Sequence, residues 1–396
     1  MAVQLDRSRI TDPALLPIAD DVEAGERLSL EAGDTLFGTS DILGLGTLAD
    51  FANQRLNGDR VYFSANQHIN PTNVCILRNT CTFCSFARMP KEEGHYTRSL
   101  EEVFHEAERA RGAPTREFHI VGGLHPKLRL SYYTDMLRGL KERHPDVHIK
   151  ALTAVEIAHL ARIERISSRE VLSALKEAGL TSLPGGGAEV FSTAVRATIA
   201  ERKLTGEEWI RVHREAHELG IPTNCTMLYG HVESARDRVE HLDALRRLQD
   251  ETGGFLTYIP LAYHPDNNEL GEELHRVGTA TTGFEDLKAI AVGRLFLDNI
   301  PHMKTHWPMV TPFLSQIALN FGCDDVEGTV VFERIYHDAG ARTQRGMSYY
   351  DLVQLIIGAG RQPVERNSLY EPLRDNFDDL APPERTSRSL PVVHAA

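Results

Sequence analysis

Short apolar runs alternate with longer segments of helical apolar spacing from about residue 66 to about residue 335. Runs of this kind predict strands, and the segments between them predict amphipathic helices. Strands that alternate with helices form βαβ units around a parallel sheet, which defines an α/β fold. Eight runs are predicted as strands: Gln67–Asn70, Glu117–Val121, Val147–Leu152, Ser182–Leu183, Thr223–Tyr229, Phe255–Leu261, His302–Thr305 and Gly328–Phe332.

Polar residues mark where several of these helices begin and end. Ser99–Glu102 has the capping-box pattern, in which the hydroxyl accepts a first-turn N–H and the glutamate reaches back to the cap. The same pattern recurs at Ser167–Glu170 and Thr205–Glu208, and Gly179 and Gly220 are placed to end the two helices that follow. The sequence therefore predicts regular helices between the strands.

The number of βα units indicates the architecture. Eight units predict a closed or nearly closed (β/α) barrel, expected over residues 61–370. Residues 1–60 are predicted as an N-terminal helical extension. Residues 371–396 are expected to form a flexible C-terminal tail, since this end of the chain is rich in Pro, Arg and Ser. The alternative is an open doubly wound sheet.

Composition narrows the class of protein. The chain has 396 residues, 41% hydrophobic and 25% charged, which is ordinary for a globular protein. Its 43 Lys and Arg against 56 Asp and Glu leave a net charge of -13, which disfavours a protein that coats nucleic acid. The sequence contains no apolar stretch of about 18 residues and no apolar signal-peptide core. We therefore expect a cytoplasmic protein that binds neither nucleic acid nor a membrane.

Three of the five cysteines, Cys75, Cys81 and Cys84, are clustered directly after the first predicted strand. In a (β/α) barrel, that end of the strands carries the active site. Three thiolates suit soft metals and iron–sulfur clusters, and a four-iron cluster on three cysteines leaves one iron open to a small molecule. The alternative is a zinc site with His68 or His95 as the fourth ligand, in a barrel that binds without catalysing.

Glycines and polar side chains collect at the ends of the other predicted strands. Glycine lets the backbone approach a ligand closely, and acidic, histidine and tyrosine side chains bind polar groups or move protons. Each residue alone also has a structural explanation, as a turn, a helix cap or a surface charge, but together they predict a small-molecule site. The candidates are Gly122, Gly123, Glu156, Gly186, Glu189 and Met227 for a cofactor, Tyr229, His231 and His264 for catalysis, and Lys304 and Arg366 for a substrate carboxylate.

The cysteine cluster resembles that of the radical S-adenosylmethionine (SAM) enzymes. Their usual motif is Cys-x3-Cys-x2-Cys with an aromatic residue before the last cysteine, and Phe83 occupies that place here. Five residues instead of three separate Cys75 from Cys81, which lengthens the loop without removing a ligand. The resemblance adds Phe83 to the expected cofactor-binding residues.

Further segments are similar to the branch of this family that serves menaquinone and deazaflavin synthesis. They are residues 70–75, 85–88, 121–127, 183–191, 224–231, 248–255 and 320–329. Three activities share this framework: aminofutalosine synthase, dehypoxanthine futalosine cyclase and the radical subunit of the deazaflavin-forming synthase. Four segments are most similar to the first activity: residues 120–123, 150–157, 229–233 and 259–265.

The resemblance implies a [4Fe-4S] cluster on Cys75, Cys81 and Cys84, with SAM bound there and consumed as a co-substrate. It implies that a 5′-deoxyadenosyl radical adds to the enol-ether double bond of 3-[(1-carboxyvinyl)oxy]benzoate. Loss of CO2 or bicarbonate would then give 6-amino-6-deoxyfutalosine for menaquinone synthesis. The expected partner is an electron donor such as flavodoxin or ferredoxin, and the cyclase and deazaflavin activities remain alternatives.

Overall fold

The chain opens with helices in the computed structural model, which describes residues 3–109, 115–275, 281–331 and 333–380. Two short 3-10 turns precede three helices: α1 (Leu16–Ala24), α2 (Leu30–Gly38) and α3 (Ile42–Asn57). Ser29 and Asp41 begin α2 and α3, because the side chain of each accepts a first-turn N–H. These helices confirm the predicted N-terminal helical extension.

Ten strands follow within the described residues. They are β1 (Arg60–Phe63), β2 (Asn66–Ile69), β3 (Glu117–Ile120), β4 (His148–Ala151), β5 (Thr223–Tyr229), β6 (Phe255–Ala262), β7 (His302–Thr305), β8 (Asp325–Val326), β9 (Gln362–Arg366) and β10 (Pro372–Arg374). Six of these, β2 to β7, overlap predicted strands, which confirms the periodicity from which they were predicted.

The remaining helices lie between or after these strands. They are α4 (Leu100–Glu108), α5 (Leu130–Arg143), α6 (Ala154–Glu164), α7 (Ser168–Glu177), α8 (Thr193–Ile199), α9 (Gly206–Glu218), α10 (Ala235–Thr252), α11 (Glu269–Glu273), α12 (Gly283–Phe296), α13 (Trp307–Val310), α14 (Pro312–Ala318), α15 (Ile335–Asp338) and α16 (Tyr349–Gly358). The predicted capping boxes at Ser99, Ser167 and Thr205 form in both directions. Within the described residues, none of the helices combines the length and apolar character needed to cross a bilayer.

The strands close into a parallel barrel. β2, β3 and β4 pair in parallel, and β5, β6, β7 and β8 form a second parallel run. Single bridges at Ser182 and Leu183 join β4 to β5, so these two residues occupy the fourth strand position. A bridge from Gln67 to Val331 joins the other ends of the two runs. The α/β barrel is therefore confirmed, and the alternative of an open doubly wound sheet is wrong.

The eighth strand begins earlier than predicted. β8 comprises Asp325–Val326, whereas the sequence predicted Gly328–Phe332, whose last residue lies outside the described residues. Asp325 is fully buried because it pairs with Arg366, and a buried charge of this kind does not register as a strand in an apolar pattern. The later segment still closes the wall, since Val331 bridges β2.

Three strands extend the sheet and were not predicted. β1 pairs in parallel with β8 and with β9, and β10 pairs antiparallel with β9. The predicted tail starts at residue 371, yet residues 372–380 form β10 and a 3-10 turn. Pro372 begins an edge strand, where its missing N–H costs no ladder bond. The first part of the tail prediction is therefore wrong, and residues 381–396 lie outside the described residues.

Candidate active site

A cavity of about 290 Å³ lies at the carboxyl ends of the barrel strands. Its walls are the loops that follow β2, β3 and β4, the loop after Leu183, and inward-facing residues of β5 and β6. Enzymes built on this architecture carry their active sites at this end. The cavity therefore lies on the face where the sequence predicted a small-molecule site.

Cys75, Cys81 and Cys84 all line this cavity as free thiols. Backbone hydrogen bonds hold their loop, from Cys75 N–H to Arg88 O (2.9 Å) and from Cys81 N–H to Leu77 O (2.9 Å). Burial raises the pKa of Cys75, and it raises the pKa of Cys81 to about 12. These two thiols are protonated at neutral pH, so metal binding must release their protons.

Three free thiols at one cavity are a donor set that suits an iron–sulfur cluster. Within the described residues, no three Cys, His, Asp or Glu side chains converge as ligands of one ion. Cysteines that each hold a different iron of a cluster stand farther apart than the ligands of one ion. Of the two predicted fourth zinc ligands, His68 lines the cavity, whereas His95 lies outside its wall with Nδ1 2.7 Å from Glu92 O.

Gly122 and Gly123 bring the loop after β3 against the cysteine loop. A Cβ on Gly122 would lie 2.9 Å from Thr72 O, and one on Gly123 would lie 2.4 Å from Val74 O, so neither position admits a side chain. Gly122 N–H donates to Glu156 Oε1 (3.0 Å), and Gly123 N–H donates to Thr72 O (2.8 Å). Both glycines line the cavity, and their N–H groups are engaged within the protein.

Glu156 lies behind the cavity wall and binds only to the protein. Its Oε2 accepts from Thr153 N–H (2.7 Å) and from the Thr153 hydroxyl (2.9 Å), which completes the capping box of α6. Burial raises the pKa of Glu156 to about 7. The contact of Glu156 with a cofactor stays a prediction, and in the structure its carboxylate accepts from Gly122 and Thr153.

Glu189 and Lys203 form a buried ion pair at the cavity. Burial disfavours both charges, but the opposite charges and hydrogen bonds around them together outweigh it, so the pKa of Glu189 is lowered and the pKa of Lys203 is raised. Lys203 Nζ lies 5.2 Å from the ring centroid of Phe83, and Gly186 lines the same part of the wall. Phe83, Gly186 and Glu189, all predicted from the sequence, are therefore brought to one cavity with the cysteines.

Lys203 is a site residue that the sequence analysis missed. It follows α8 in a polar segment that is typical of an exposed turn. The cysteine loop packs on that segment, since Thr82 N–H donates to Ile199 O (3.0 Å) and Cys81 bridges Ala200. This long-range contact buries Lys203, and no local pattern in the sequence signals it.

Side chains alternate along β5, and the alternation separates the residues predicted there. Thr226 and Leu228 line the cavity, whereas Met227 and Tyr229 are fully buried outside its wall. Tyr229 OH donates to Asp286 Oδ1 of α12 (2.7 Å). The two-residue period of a strand turns both side chains away from the cavity, and the roles of Met227 as a cofactor contact and of Tyr229 as a catalytic group stay predictions.

The two predicted catalytic histidines have different positions. Val232 N–H donates to His231 Nδ1 (2.8 Å), and His231 Nε2–H donates to Leu228 O (3.0 Å). Both ring nitrogens are engaged outside the cavity wall, and a catalytic role for His231 stays a prediction. His264 does line the cavity; its Nε2–H donates to Met309 O (3.1 Å), and burial lowers its pKa.

Lys304 and Arg366 are paired with carboxylates and lie outside the cavity wall. Lys304 Nζ lies 3.4 Å from Glu327 Oε2 and 4.0 Å from Asp325 Oδ1. Arg366 Nε–H donates to Asp325 Oδ2 (2.7 Å), and the guanidinium lies 4.0 Å from the ring centroid of Tyr370. Buried charges need such partners. The structure therefore brings neither cation to the cavity wall, and their binding of a substrate carboxylate stays a prediction.

Comparisons with known proteins identify the family. Residues 69–245 match the family described as the radical SAM superfamily, and residues 252–378 match the CofH/MqnC C-terminal region. The chain is 48% identical to the aminodeoxyfutalosine synthase of Thermus thermophilus, with 92% of this chain and 97% of that protein covered. It belongs to the radical SAM superfamily.

Other relatives of this radical SAM enzyme have two different names. The aminodeoxyfutalosine synthase of Streptomyces coelicolor is 45% identical, with 92% of this chain and 95% of that protein covered. The 5-amino-6-(D-ribitylamino)uracil--L-tyrosine 4-hydroxyphenyl transferase of Methanopyrus kandleri is 36% identical, with 93% and 98% covered. The solved structure of methylornithine synthase shares the fold at a TM-score of 0.70 and 16% identity, covering 87% of this chain and 97% of that one.

Radical SAM enzymes use a [4Fe-4S] cluster and SAM, and so does this member of the superfamily. The three free thiols at one cavity are the donor set that such a cluster needs.

The cavity of this radical SAM enzyme also has a deeper part, at the level of the strands themselves, of which the sequence indicated only His68, as a possible zinc ligand. Its polar wall is formed by His68 of β2, His119 of β3, His306 after β7, and Glu327 and Glu333 after β8.

Proposed function

We propose that this enzyme is an aminofutalosine synthase. It would join the 5′-deoxyadenosyl group of SAM to 3-[(1-carboxyvinyl)oxy]benzoate, with loss of CO2 or bicarbonate, and release 6-amino-6-deoxyfutalosine and methionine for menaquinone synthesis. The observation that carries this proposal is the 48% identity to an aminodeoxyfutalosine synthase over 92% of the chain. The 36% identity to the tyrosine 4-hydroxyphenyl transferase is lower, which makes that activity the second candidate.

The residues around the cysteines are assigned to the cofactor and SAM. Cys75, Cys81 and Cys84 would hold the cluster through three of its irons. The carbonyl oxygens of Gly122 and Gly123 would accept hydrogen bonds from the SAM ammonium group, since their N–H groups are engaged. Together, the bound cluster and SAM supply a 5′-deoxyadenosyl radical.

Phe83, Gly186 and Glu189 lie beside the cysteines and are assigned to the rest of SAM. Phe83 offers an aromatic face, and Gly186 keeps the wall open for a close approach. Glu189 is charged because Lys203 compensates it, so its carboxylate can accept hydrogen bonds from ribose hydroxyls without a further cation.

The cavity wall beyond this region is apolar enough to protect a reactive radical. Four apolar side chains line it and exclude water: Leu228, Ile259, Leu261 and Met309. The same side chains would hold the acceptor double bond of the substrate within reach of the radical carbon. His264 is the proton-handling residue that we assign here, with its orientation set by the bond to Met309 O. We infer that the electron that cleaves SAM comes from a flavodoxin or a ferredoxin. We further infer that the reaction takes place in the cytoplasm, together with such an electron donor.

The decisive experiment is an anaerobic turnover assay. The protein is reconstituted with iron and sulfide, incubated with SAM, a reductant and 3-[(1-carboxyvinyl)oxy]benzoate, and examined by mass spectrometry. We expect an adduct that carries the adenosyl group, with methionine formed alongside. Cys81→Ser should form neither product, whereas Cys323→Ala, a change at a buried cysteine away from the cavity, should form both.

Two other outcomes would reassign the activity. Release of 5′-deoxyadenosine without an adduct would reject the synthase, and dehypoxanthine futalosine or tyrosine with 5-amino-6-(D-ribitylamino)uracil would then be tested as substrates. Stoichiometric zinc without iron, together with no methionine, would instead support a zinc-stabilised barrel without catalytic activity.

A further inference from the structure

Two buried histidines that line the deeper part of the cavity each have one ring nitrogen without a hydrogen-bond partner. His68 and His306 both line the cavity, and their residues are only 7% and 6% exposed. Within the described part of the chain, neither His68 Nε2 nor His306 Nδ1 has a hydrogen-bond partner. A buried polar atom without a partner costs free energy, so a ligand that supplies the partner is favoured there.

The neighbouring carboxylates are already satisfied by protein groups. Glu327 Oε1 accepts from Asn66 Nδ2–H (2.7 Å), and Glu327 Oε2 lies 3.4 Å from Lys304 Nζ. Glu333 accepts from Tyr336 N–H (2.9 Å) and from His337. Because these acidic groups are compensated, they do not exclude a further anion from the part of the cavity that His68 and His306 line.

We infer that His68 and His306 together bind a carboxylate of the acidic co-substrate. This inference rests on the proposed function, which supplies a co-substrate with two carboxylates, and it replaces Lys304 and Arg366 as the residues that hold one. Each imidazole donates one N–H to the anion. The ring of His119 lies 4.7 Å from that of His68, and the ring of Tyr336 lies 4.9 Å from that of His306, which restricts both orientations.

The charges around the two rings indicate that binding takes up a proton. Burial lowers the pKa of His68, and it lowers the pKa of His306 to about 4, so both rings are neutral at pH 7. The groups that face them are Glu117, His119, Lys304, Glu327, Glu333 and Tyr336. His306 Nε2 lies 3.9 Å from Glu327 Oε2, so a carboxylate on Nδ1 would place this ring between two anions and favour its charged form.

Calorimetry of the reconstituted enzyme tests the inference without turnover. SAM-loaded protein is titrated with 3-[(1-carboxyvinyl)oxy]benzoate in the absence of reductant, in two buffers of different ionisation enthalpy. We expect the wild type to take up a proton on binding. We expect His68→Leu and His306→Leu each to weaken substrate binding by about tenfold to a hundredfold, with SAM affinity unchanged.

Conservative variants separate a lost contact from a damaged fold. His306→Asn keeps a donor near Nδ1 and His68→Gln keeps one near Nε2, so each should bind substrate within about fivefold of the wild type. His159→Leu is the matched control, because His159 is equally buried but lies outside the cavity. Substrate affinity that is unchanged in both leucine variants would overturn the inference.

Analogues identify which carboxylate is bound. We expect a methyl ester at the benzoate or at the carboxyvinyl group to bind the wild type more weakly than the free acid does. The ester at the carboxylate that the histidines bind should have the same affinity for His306→Leu as for the wild type, whereas the other ester should bind His306→Leu more weakly. If both esters lose affinity further in His306→Leu, the inference is wrong. If the benzoate gives no adduct but tyrosine is a substrate, the proposed function fails by itself. The same titrations with tyrosine then decide the inference, since equal tyrosine affinity in wild type and leucine variants would reject a carboxylate site.

Discussion

Glu156 Oε1 accepts the N–H of Gly122 at 3.0 Å, which ties the start of α6 to the loop that follows β3. The same carboxylate closes the capping box with Thr153, so one side chain sets both the helix start and the glycine loop. Gly122 and Gly123 of this loop line the cavity. Under the proposed function, Glu156 therefore acts in SAM binding by positioning this loop.

We expect Glu156→Gln to weaken SAM binding by about tenfold. The amide keeps one oxygen for Gly122 but turns an NH2 group towards the Thr153 N–H, which moves the loop. Equilibrium binding of SAM to the reconstituted enzyme measures the effect. Glu170→Gln is the matched control, since Glu170 closes the same kind of capping box at the exposed start of α7. Equal SAM affinity in both variants would contradict the positioning role.

The cysteine ligands make a prediction that does not depend on substrate. Each of the three single variants with serine in place of Cys75, Cys81 or Cys84 should fail to bind the cluster stably, because a hydroxyl is a poor ligand for a soft iron site. Bound iron and sulfide, with the visible absorbance of the cluster, are the measurements. Cys323→Ala should load iron normally, since Cys323 is buried away from the cavity. Full iron content in any of the three serine variants would remove that cysteine from the ligand set.

Features with a local signal were predictable from the sequence. The βα rhythm follows from apolar spacing, and the capping boxes at Ser99, Ser167 and Thr205 follow from residues three positions apart. The cysteine loop was recognisable because its ligands are close in sequence. Each of these features depends on residues within a single turn or loop, so the order of residues alone reveals it.

Features that depend on contacts between distant residues were not predictable. An arginine such as Arg366 is usually exposed at the surface, yet its side chain is buried here because it pairs with Asp325, 41 residues away in the sequence. Lys203 was missed for the same reason, since only the packing of the cysteine loop buries it. On β5 the pattern gave the strand but not its phase, because all seven residues are buried and the two faces look alike in sequence.

The alternation of side chains along β5 predicts different effects for substitutions at Tyr229 and at Thr226. Tyr229→Phe should leave turnover unchanged and lower the free energy of unfolding by about 1–3 kcal/mol, because Asp286 loses a buried donor. Thr226→Val should instead weaken SAM binding, since the Thr226 hydroxyl donates to Gly185 O (2.7 Å) and holds the glycine loop in the cavity wall. Urea unfolding and steady-state kinetics separate the two effects. A large loss of turnover in Tyr229→Phe would contradict the assigned phase.

The contact between His337 and Glu333 makes stability depend on pH. The hydrogen bond to Glu333 raises the pKa of His337, whereas the pKa of Glu333 is lowered, so Glu333 stays ionised across the neutral range. A histidine with a raised pKa stabilises the fold below about pH 6.5 and loses that contribution as the pH rises through its folded value. The wild type should therefore have a higher Tm than His337→Gln, and this difference in Tm should be largest near about pH 6 and decrease towards about pH 9. A pH-independent excess would exclude this pair as its source.

Removing one charge of the buried pair of Lys203 and Glu189 is expected to lower the free energy of unfolding strongly, whereas removing both charges should lower it little. Lys203→Met alone should lower the free energy of unfolding by about 3–5 kcal/mol, because it leaves the carboxylate of Glu189 buried without a partner. Adding Glu189→Gln should recover most of this loss, since no buried charge remains. Anaerobic urea unfolding of the two single variants and the double variant gives the coupling free energy. Additive losses would show that the two charges do not compensate each other, and Glu189 would then lack the support that its proposed contact with the ribose requires.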